Sequence, residues 1–374
     1  MNVRSKSNRL LAVDALRGLI IVVMALDHAN HFVAQKHPTG EQWGGPFPIY
    51  RDSFSFLTRF ITHLAAPGFF FLMGVGMLLF AKSRRRQGWS RWAVIRYFVL
   101  RGLLLILLQF ILVNRAWELS PGGWMLGNYV GVLFALGGTM ILASFLLWLP
   151  PMYILAITVV LFLSTELMHP APELWSSVDP GLLELLFIFS GGDLSLWSNY
   201  PILPWLELVT FGLVFGYWLD EDSKQAFNRG LWLGIVFLFA FILLRLLDSF
   251  GNIRPRASDS WIDFLNVVKY PPSMVFTLLT TGMNLIILWL FSKLAKARSI
   301  ILESLAVFGQ APLFFYILHL FLYAALGYLF APSGTSIIAM YPYWLLGLIL
   351  LYPLCLWYGR FKQRKALTSL WRLF

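Results

Sequence analysis

"DALRGLIIVVMALDHANHF", residues 14–32, has the length and apolar background of a membrane-spanning helix and the wrong contents for an inert one. Among Leu, Ile, Val and Met it keeps Asp14, Arg17, Asp27, His28 and His31. Ionisable side chains inside a bilayer are costly and ordinarily face a bundle interior or a wet cavity, so they ask for a function. Arg17 and His28 are eleven residues apart, within about 20° of three full turns, which puts them on one face about 16 Å apart along the axis. Asp14, three before Arg17, and His31, three after His28, join that face. Asp27 stands about 100° round the helix from His28 and is better placed to orient another group. The bland reading makes Asp14 and Arg17 a satisfied pair near one interface and His28 and His31 ordinary interfacial residues. The functional reading is a site reached from two sides, with a cation near one end for an anionic donor and a base deeper in.

The rest of the chain supports a membrane setting. Its 374 residues are 59% hydrophobic and 13% charged, with mean hydropathy +0.71, whereas soluble domains carry about 25% charged residues. The expected fold is all-α and polytopic. Ten spans of predominantly apolar residues are read at 10–33, 57–81, 97–113, 126–149, 152–168, 200–219, 230–248, 271–291, 303–330 and 341–358. The stretches between them at 34–56, 168–199 and 249–270 read as loops or short re-entrant pieces with no core of their own. Residues 1–374 therefore read as a single transmembrane domain with a basic tail at 359–374. No internal repeat is visible by eye.

The net charge of +11 does not point to nucleic acid, because its basic residues cluster between or after apolar runs, at 83–91, 292–298 and 359–365. With the N-terminus inside, 20 Lys and Arg fall on the cytoplasmic side and 7 on the other, Arg59 and Lys269 among the seven, while Arg17 and Arg245 lie within spans. That bias and the even number of spans place both termini in the cytoplasm. The lone Cys355 offers no disulfide or CxxC site. Sixteen Trp, many near span ends, fit interfacial belts.

Further polar residues interrupt apolar runs. "FLTRFITHLAAPGFFFLMGVGMLL" (56–79) carries His63 four residues before Pro67, and its "GVG" permits close helix packing or a homodimer without specifying one. Glu207, Tyr316 and His319 are candidates for the acceptor side, with Tyr316 and His319 on one face; a structural role serves each of them, and His63, equally well. "DHANH" offers His28 and His31 as metal ligands, with His63 as a possible third, but a catalytic metal usually needs three ligands in fixed geometry, and no metal is expected.

Five stretches, "RLLAVDALRGLIIVVMALDH" (9–28), "HLAAPGFFFLMGVG" (63–76), "YPILPWLELVTFGLVFG" (200–216), "KYPPSMVFTLLTTG" (269–282) and "FGQAPLFFYILHLFL" (308–322), resemble the bacterial family related to heparan-α-glucosaminide N-acetyltransferase. More distantly, Arg17, ten residues and His28 are similar to the Arg-x10-His motif of the acyltransferase-3 membrane enzymes. The resemblance implies a multi-pass enzyme of the bacterial inner membrane, in contact with its lipids. It would pass an acyl group, typically acetyl, from cytosolic acyl-coenzyme A to a sugar or other small hydroxyl or amine acceptor. It implies that Arg17 lies near the donor and that His28 is catalytic, with Asp27 and His63 beside it. Asp14 and the loop residues Arg84, Arg85 and Arg96 would complete the nucleotide site, since guanidinium groups suit phosphate, and His31, Glu207, Tyr316 and His319 would meet the acceptor. The lysosomal relative places its histidine in the loop after this helix, where His31 and His37 are the candidates. The rival from a different class is a proton- or ion-coupled transporter or flippase, in which the same polar line relays protons.

Overall fold

The structure, a computed structural model, describes residues 3–297, 299–365, 369 and 371, and the side chains of residues 3–10 are left aside. Arg4, Lys6, Arg9, Arg298 and the end of the basic tail therefore lie outside the described side chains. The polar first helix is α1 (Val3–Ala29), prolonged by a π turn, Asn30–Ala34, that ends at Gln35 in the left-handed region. α2 (Ser53–Thr62) starts on an Asp52 carboxylate that accepts from the Ser55 N–H at 2.8 Å, and α3 (Ala65–Arg86) follows after a two-residue turn at His63 and Leu64. α4 (Arg91–Leu108), capped by Ser90, runs through a second π turn into α5 (Asn114–Glu118), a continuous 28-residue helical stretch. α6 (Val132–Leu146) has 15 residues, because residues 128–130 of the expected span are extended instead.

α7 (Pro151–Met168) begins on a proline, whose missing N–H costs nothing in the first turn. A peripheral α8 (Leu182–Phe187) precedes α9 (Ile202–Glu221) and α10 (Ser223–Leu247), and a short α11 (Trp261–Leu265) precedes α12 (Met274–Leu294). The ninth expected span is broken at Gln310 and Ala311 into α13 (Ile300–Gly309) and α14 (Pro312–Phe330), and α15 (Ile337–Gln363) closes the bundle. Among the described residues, eight helical stretches are long and apolar enough to cross a membrane; the charged α1 and the short α6 and α13 fall outside that set. The protein is thus an all-α polytopic membrane protein.

Small residues set the tightest helix contacts. α3 meets α9 at Gly74 and Gly212, whose Cα atoms a new Cβ would approach within 3.0 Å, and α1 meets α13 at Gly18 and Gly309. A Cβ on Gly18 would overlap the Leu305 carbonyl and one on Gly309 the Asp14 carbonyl. Gly18→Ala is therefore expected to push α1 off α13 at a cost of about 1–3 kcal/mol. A melting temperature in detergent equal to that of the wild type would contradict this contact.

The three long connections do not stay loose, which corrects the expectation of coreless or re-entrant loops. Trp43, Ile253 and Val268 pack with Phe47, Trp175, Val178 and Phe189 into a second, small apolar cluster at one end of the bundle. Trp43 Nε1 donates to the Ser190 carbonyl at 2.6 Å, and Arg254 stacks on Phe47 and donates to the Gly40 and Gly45 carbonyls. Three short strands, β1 (Asn128–Val130), β2 (Gly191–Gly192) and β3 (Leu196–Ser198), form a sheet in the order β1-β3-β2, with β1 parallel and β2 antiparallel to β3. The intramembrane-looking Arg245 belongs to this cap. It is fully buried and donates to the Asp263, Phe264 and Asn266 carbonyls and to Asn252 Oδ1. In the piece at 181–192, Leu182 and Leu183 are exposed on the outside of the bundle.

Candidate active site between two cavities

Two cavities enter the bundle from opposite ends. The first, of about 590 Å³, opens where the start of α1 and the end of α15 lie side by side. Its mouth holds Asp14, Arg17, Arg101, Gln310 and Lys362, its waist is lined by Met24, Met73, Met77, Leu133 and Leu313, and its inner end by Asp27, His28, Tyr200, Lys269 and Tyr316. The second, of about 1030 Å³, lies under the loop cap, between His31, His37, Trp117, Trp124, Tyr129, Asn199 and Tyr270. Asp27, His28, Val132, Tyr200 and Tyr316 line both. These five residues form a wall common to the two cavities, with His28 in it.

At the mouth, Arg17 Nη1 donates to Asp14 Oδ1 at 2.9 Å and to the Gly309 carbonyl at 3.1 Å. The close Gly18–Gly309 approach makes the second bond possible. At the junction, His28 Nδ1 lies 2.6 Å from His319 Nε2, and the two rings stack. His319 Nδ1 is 2.9 Å from the Phe315 carbonyl, which can only accept, so this nitrogen carries the hydrogen. With both imidazoles neutral, His319 Nε2 then accepts from His28 Nδ1, and the lone pair of His28 is left on Nε2. Trp117 and Tyr316 hold the His28 ring edge-on.

Asp27 turns away from His28 into a buried ionic cluster. Arg59 Nη1 donates to Asp27 Oδ1, while its Nε and Nη2 grip Glu41 as a bidentate fork. Thr62 Oγ1 donates to Asp27 at 3.0 Å, His37 Nε2 lies 3.3 Å from the other Asp27 oxygen, and His63 Nε2 lies 3.0 Å from Glu41. Arg59 and Glu41 are only 1% and 2% exposed. Burial pushes the Glu41 carboxyl up, but Arg59 and then His63 outweigh it and hold it well below the usual carboxylate range.

The residues picked from the sequence thus separate. Asp14, Arg17, Asp27, His28, His31 and Tyr316 line the cavities. His319 is fully buried behind His28, and His63 belongs to the ionic cluster at the α2–α3 turn. Glu207 is buried and accepts from Thr277 Oγ1 at 2.7 Å, outside both linings. Arg84, Arg85 and Arg96 also lie outside them: Arg84 stacks on Phe80 and Trp89, Arg85 binds the Trp89 carbonyl and Arg96 is exposed. The cations at the mouth are Arg101 and Lys362 beside Arg17. The sequence reading counted Arg59 and Lys269 only as outer-side charges and gave Glu41 no role. The one signal for Arg59 was its helical spacing from Thr62 and His63. Among the described residues no group of three or more His, Cys, Asp or Glu is arranged to hold a metal ion.

The catalytic domain of the family described as heparan-alpha-glucosaminide N-acetyltransferase matches residues 9–243, more than half of the chain. The chain belongs to this family. A mouse protein, heparan-alpha-glucosaminide N-acetyltransferase, is 32% identical over 150 residues, which are 39% of this chain and 21% of the mouse protein. The match thus spans about a fifth of that relative's length. The family match takes in Arg17, Asp27, His28, His37 and Arg59, whereas Lys269, Gly309, Tyr316 and His319 come from the part of the chain beyond it.

Proposed function

We propose that the protein is a bacterial cytoplasmic-membrane acetyltransferase, one transmembrane unit over residues 1–374, with both termini in the cytoplasm. Acetyl-coenzyme A enters the first cavity, and an amine or hydroxyl of a sugar or similarly small acceptor enters the second. The wall that the two cavities share, with His28 in it, carries this reading. A mouth with Arg17, Arg101 and Lys362 suits phosphates, a methionine-rich waist suits a flexible pantetheine arm, and the thioester then comes to rest at the junction.

The chemistry follows from the imidazole pair. His28 Nε2 removes a proton as the acceptor nitrogen or oxygen attacks the thioester carbonyl, and the resulting imidazolium returns that proton to the departing thiolate. His319 and the Phe315 carbonyl keep the basic nitrogen on the cavity side. Direct transfer of this kind requires donor and acceptor to be held together, which a site with two entrances provides.

The test is acetyl-coenzyme A binding to detergent-purified protein, wild type beside Arg17→Ala. Saturable binding that weakens about tenfold in Arg17→Ala supports the donor site, because a hydrogen bond to a charged group is worth about 1.5–3 kcal/mol. Absence of saturable binding to the wild type, or thioester left unconsumed while a solute crosses vesicles against a proton gradient, would replace the enzyme by a transporter.

A further inference from the structure

The geometry points to Lys269 as the cation that receives the oxyanion formed when the acceptor attacks the thioester carbonyl, an inference that rests on the acyltransfer reading above. Lys269 is 3% exposed, yet it lines the inner end of the first cavity with His28, Tyr200 and Tyr316. The cap fixes its backbone: the Lys269 and Tyr270 N–H groups both donate to the Glu41 carbonyl, at 2.9 and 3.1 Å, and the Trp43 N–H donates to the Tyr270 carbonyl at 2.9 Å.

Its charge is not closed into a direct ion pair. Lys269 forms no ion pair among the described residues, and the two acidic groups of the neighbouring cluster, Asp27 and Glu41, are both gripped by Arg59. What Nζ has is the face of Tyr270, 5.0 Å away, which offsets only part of the desolvation of an ammonium group. A buried ammonium that borders a cavity with no carboxylate in direct contact is arranged to meet an anion that arises inside the cavity. The first anion the proposed reaction generates there is the tetrahedral oxyanion, ahead of the thiolate that His28 protonates. The acceptor nitrogen forms the new C–N bond, the C=O π pair moves to oxygen opposite Lys269, and the proton goes to His28 Nε2. Collapse then restores C=O, breaks the C–S bond and sends the proton to sulfur. A preorganised cation at such a position costs no reorganisation during the step.

The alternative source of an anion is a permanent carboxylate or sulfate on the acceptor, and the experiment separates the two. Thiol release from acetyl-coenzyme A is measured with glucosamine, which has no anionic group, for wild type, Lys269→Met and Lys269→Arg. Binding of S-ethyl-coenzyme A, which lacks the carbonyl, is measured in parallel. The expected result is a fall in kcat of about 10²–10³-fold in Lys269→Met, with S-ethyl-coenzyme A affinity and the glucosamine KM unchanged and partial recovery in Lys269→Arg. A merely structural lysine would move affinity and KM together with kcat. If Lys269→Met does not fold, the comparison of Lys269→Arg with Lys269→Gln carries the same split. Equal kcat in wild type and Lys269→Met overturns the inference, as does a change confined to the KM of an anionic acceptor, glucosamine 6-sulfate. A wild type that releases no thiol overturns the acyltransfer reading and this inference with it.

Discussion

His28→Ala is expected to lower acetyl transfer by about 10²–10⁴-fold, the usual contribution of a positioned general base, while leaving acetyl-coenzyme A binding close to that of the wild type. The ring sits at the inner end of the first cavity, and Arg17 and the mouth lie about 16 Å away along α1, so its loss leaves the donor's phosphate end untouched. Single-turnover assays with labelled acetyl-coenzyme A check this directly. Full turnover by the variant would remove His28 from the chemistry. His319→Leu is expected to reproduce part of the loss, because without an acceptor at Nδ1 the His28 ring is free to place its lone pair on either nitrogen. A protein in which His319→Leu is as active as wild type would show that the 2.6 Å contact has no part in orienting the base.

The second large effect is on stability. Arg59 bridges Asp27 to Glu41 and is almost fully buried, so Arg59→Ala leaves two carboxylates in a low-dielectric site without their cation. Breaking a buried pair from one side costs about 3–5 kcal/mol, and it should appear as a lower melting temperature in detergent at pH 7. The pH dependence has a definite sign. Glu41 is held well below its ordinary value of 4.5, so its contribution is complete above that value and is lost as the pH falls through the folded one. The gap between wild type and Arg59→Ala should therefore be widest near neutrality and narrow in acid, where a protonated Glu41 needs no counter-charge. A gap that stays constant between pH 7 and pH 3 would mean that Arg59 acts by packing alone.

Much of the fold is legible because transmembrane helices announce themselves locally. Apolar runs of sufficient length located the helices in order, and the boundary errors fall where local structure changes type. Residues 128–130 are extended rather than helical, the third span runs from 91 to 118 instead of 97 to 113, and Pro312 restarts a helix that looked continuous. The line from Asp14 to His28 was legible for the same reason, since the pitch of one helix determines which of its residues share a face.

Charge was the weaker guide. Counting Lys and Arg by compartment treated Arg59, Arg254 and Lys269 as outer-loop charges, but all three are buried, one in an ion cluster, one on carbonyls and one at the cavity. Arg84, Arg85 and Arg96 were assigned to the donor because they follow the polar helix in a basic loop. They lie outside the lining of the first cavity, whose mouth carries Arg101 and Lys362 beside Arg17.

The sequence by itself determined that this is a helical membrane protein with a polar line through its first helix, because hydropathy and helical pitch are properties of neighbouring residues. Only the tertiary structure decided what that line meets. His319 approaches His28 across 291 residues, Arg59 of α2 closes on Asp27 and holds Glu41 of the preceding loop, and the loop at 266–270 carries Lys269 to the same chamber. Those meetings depend on the glycine-mediated helix contacts and on a cap assembled from distant loops, and no local pattern in the chain encodes which of its many polar side chains will share a cavity.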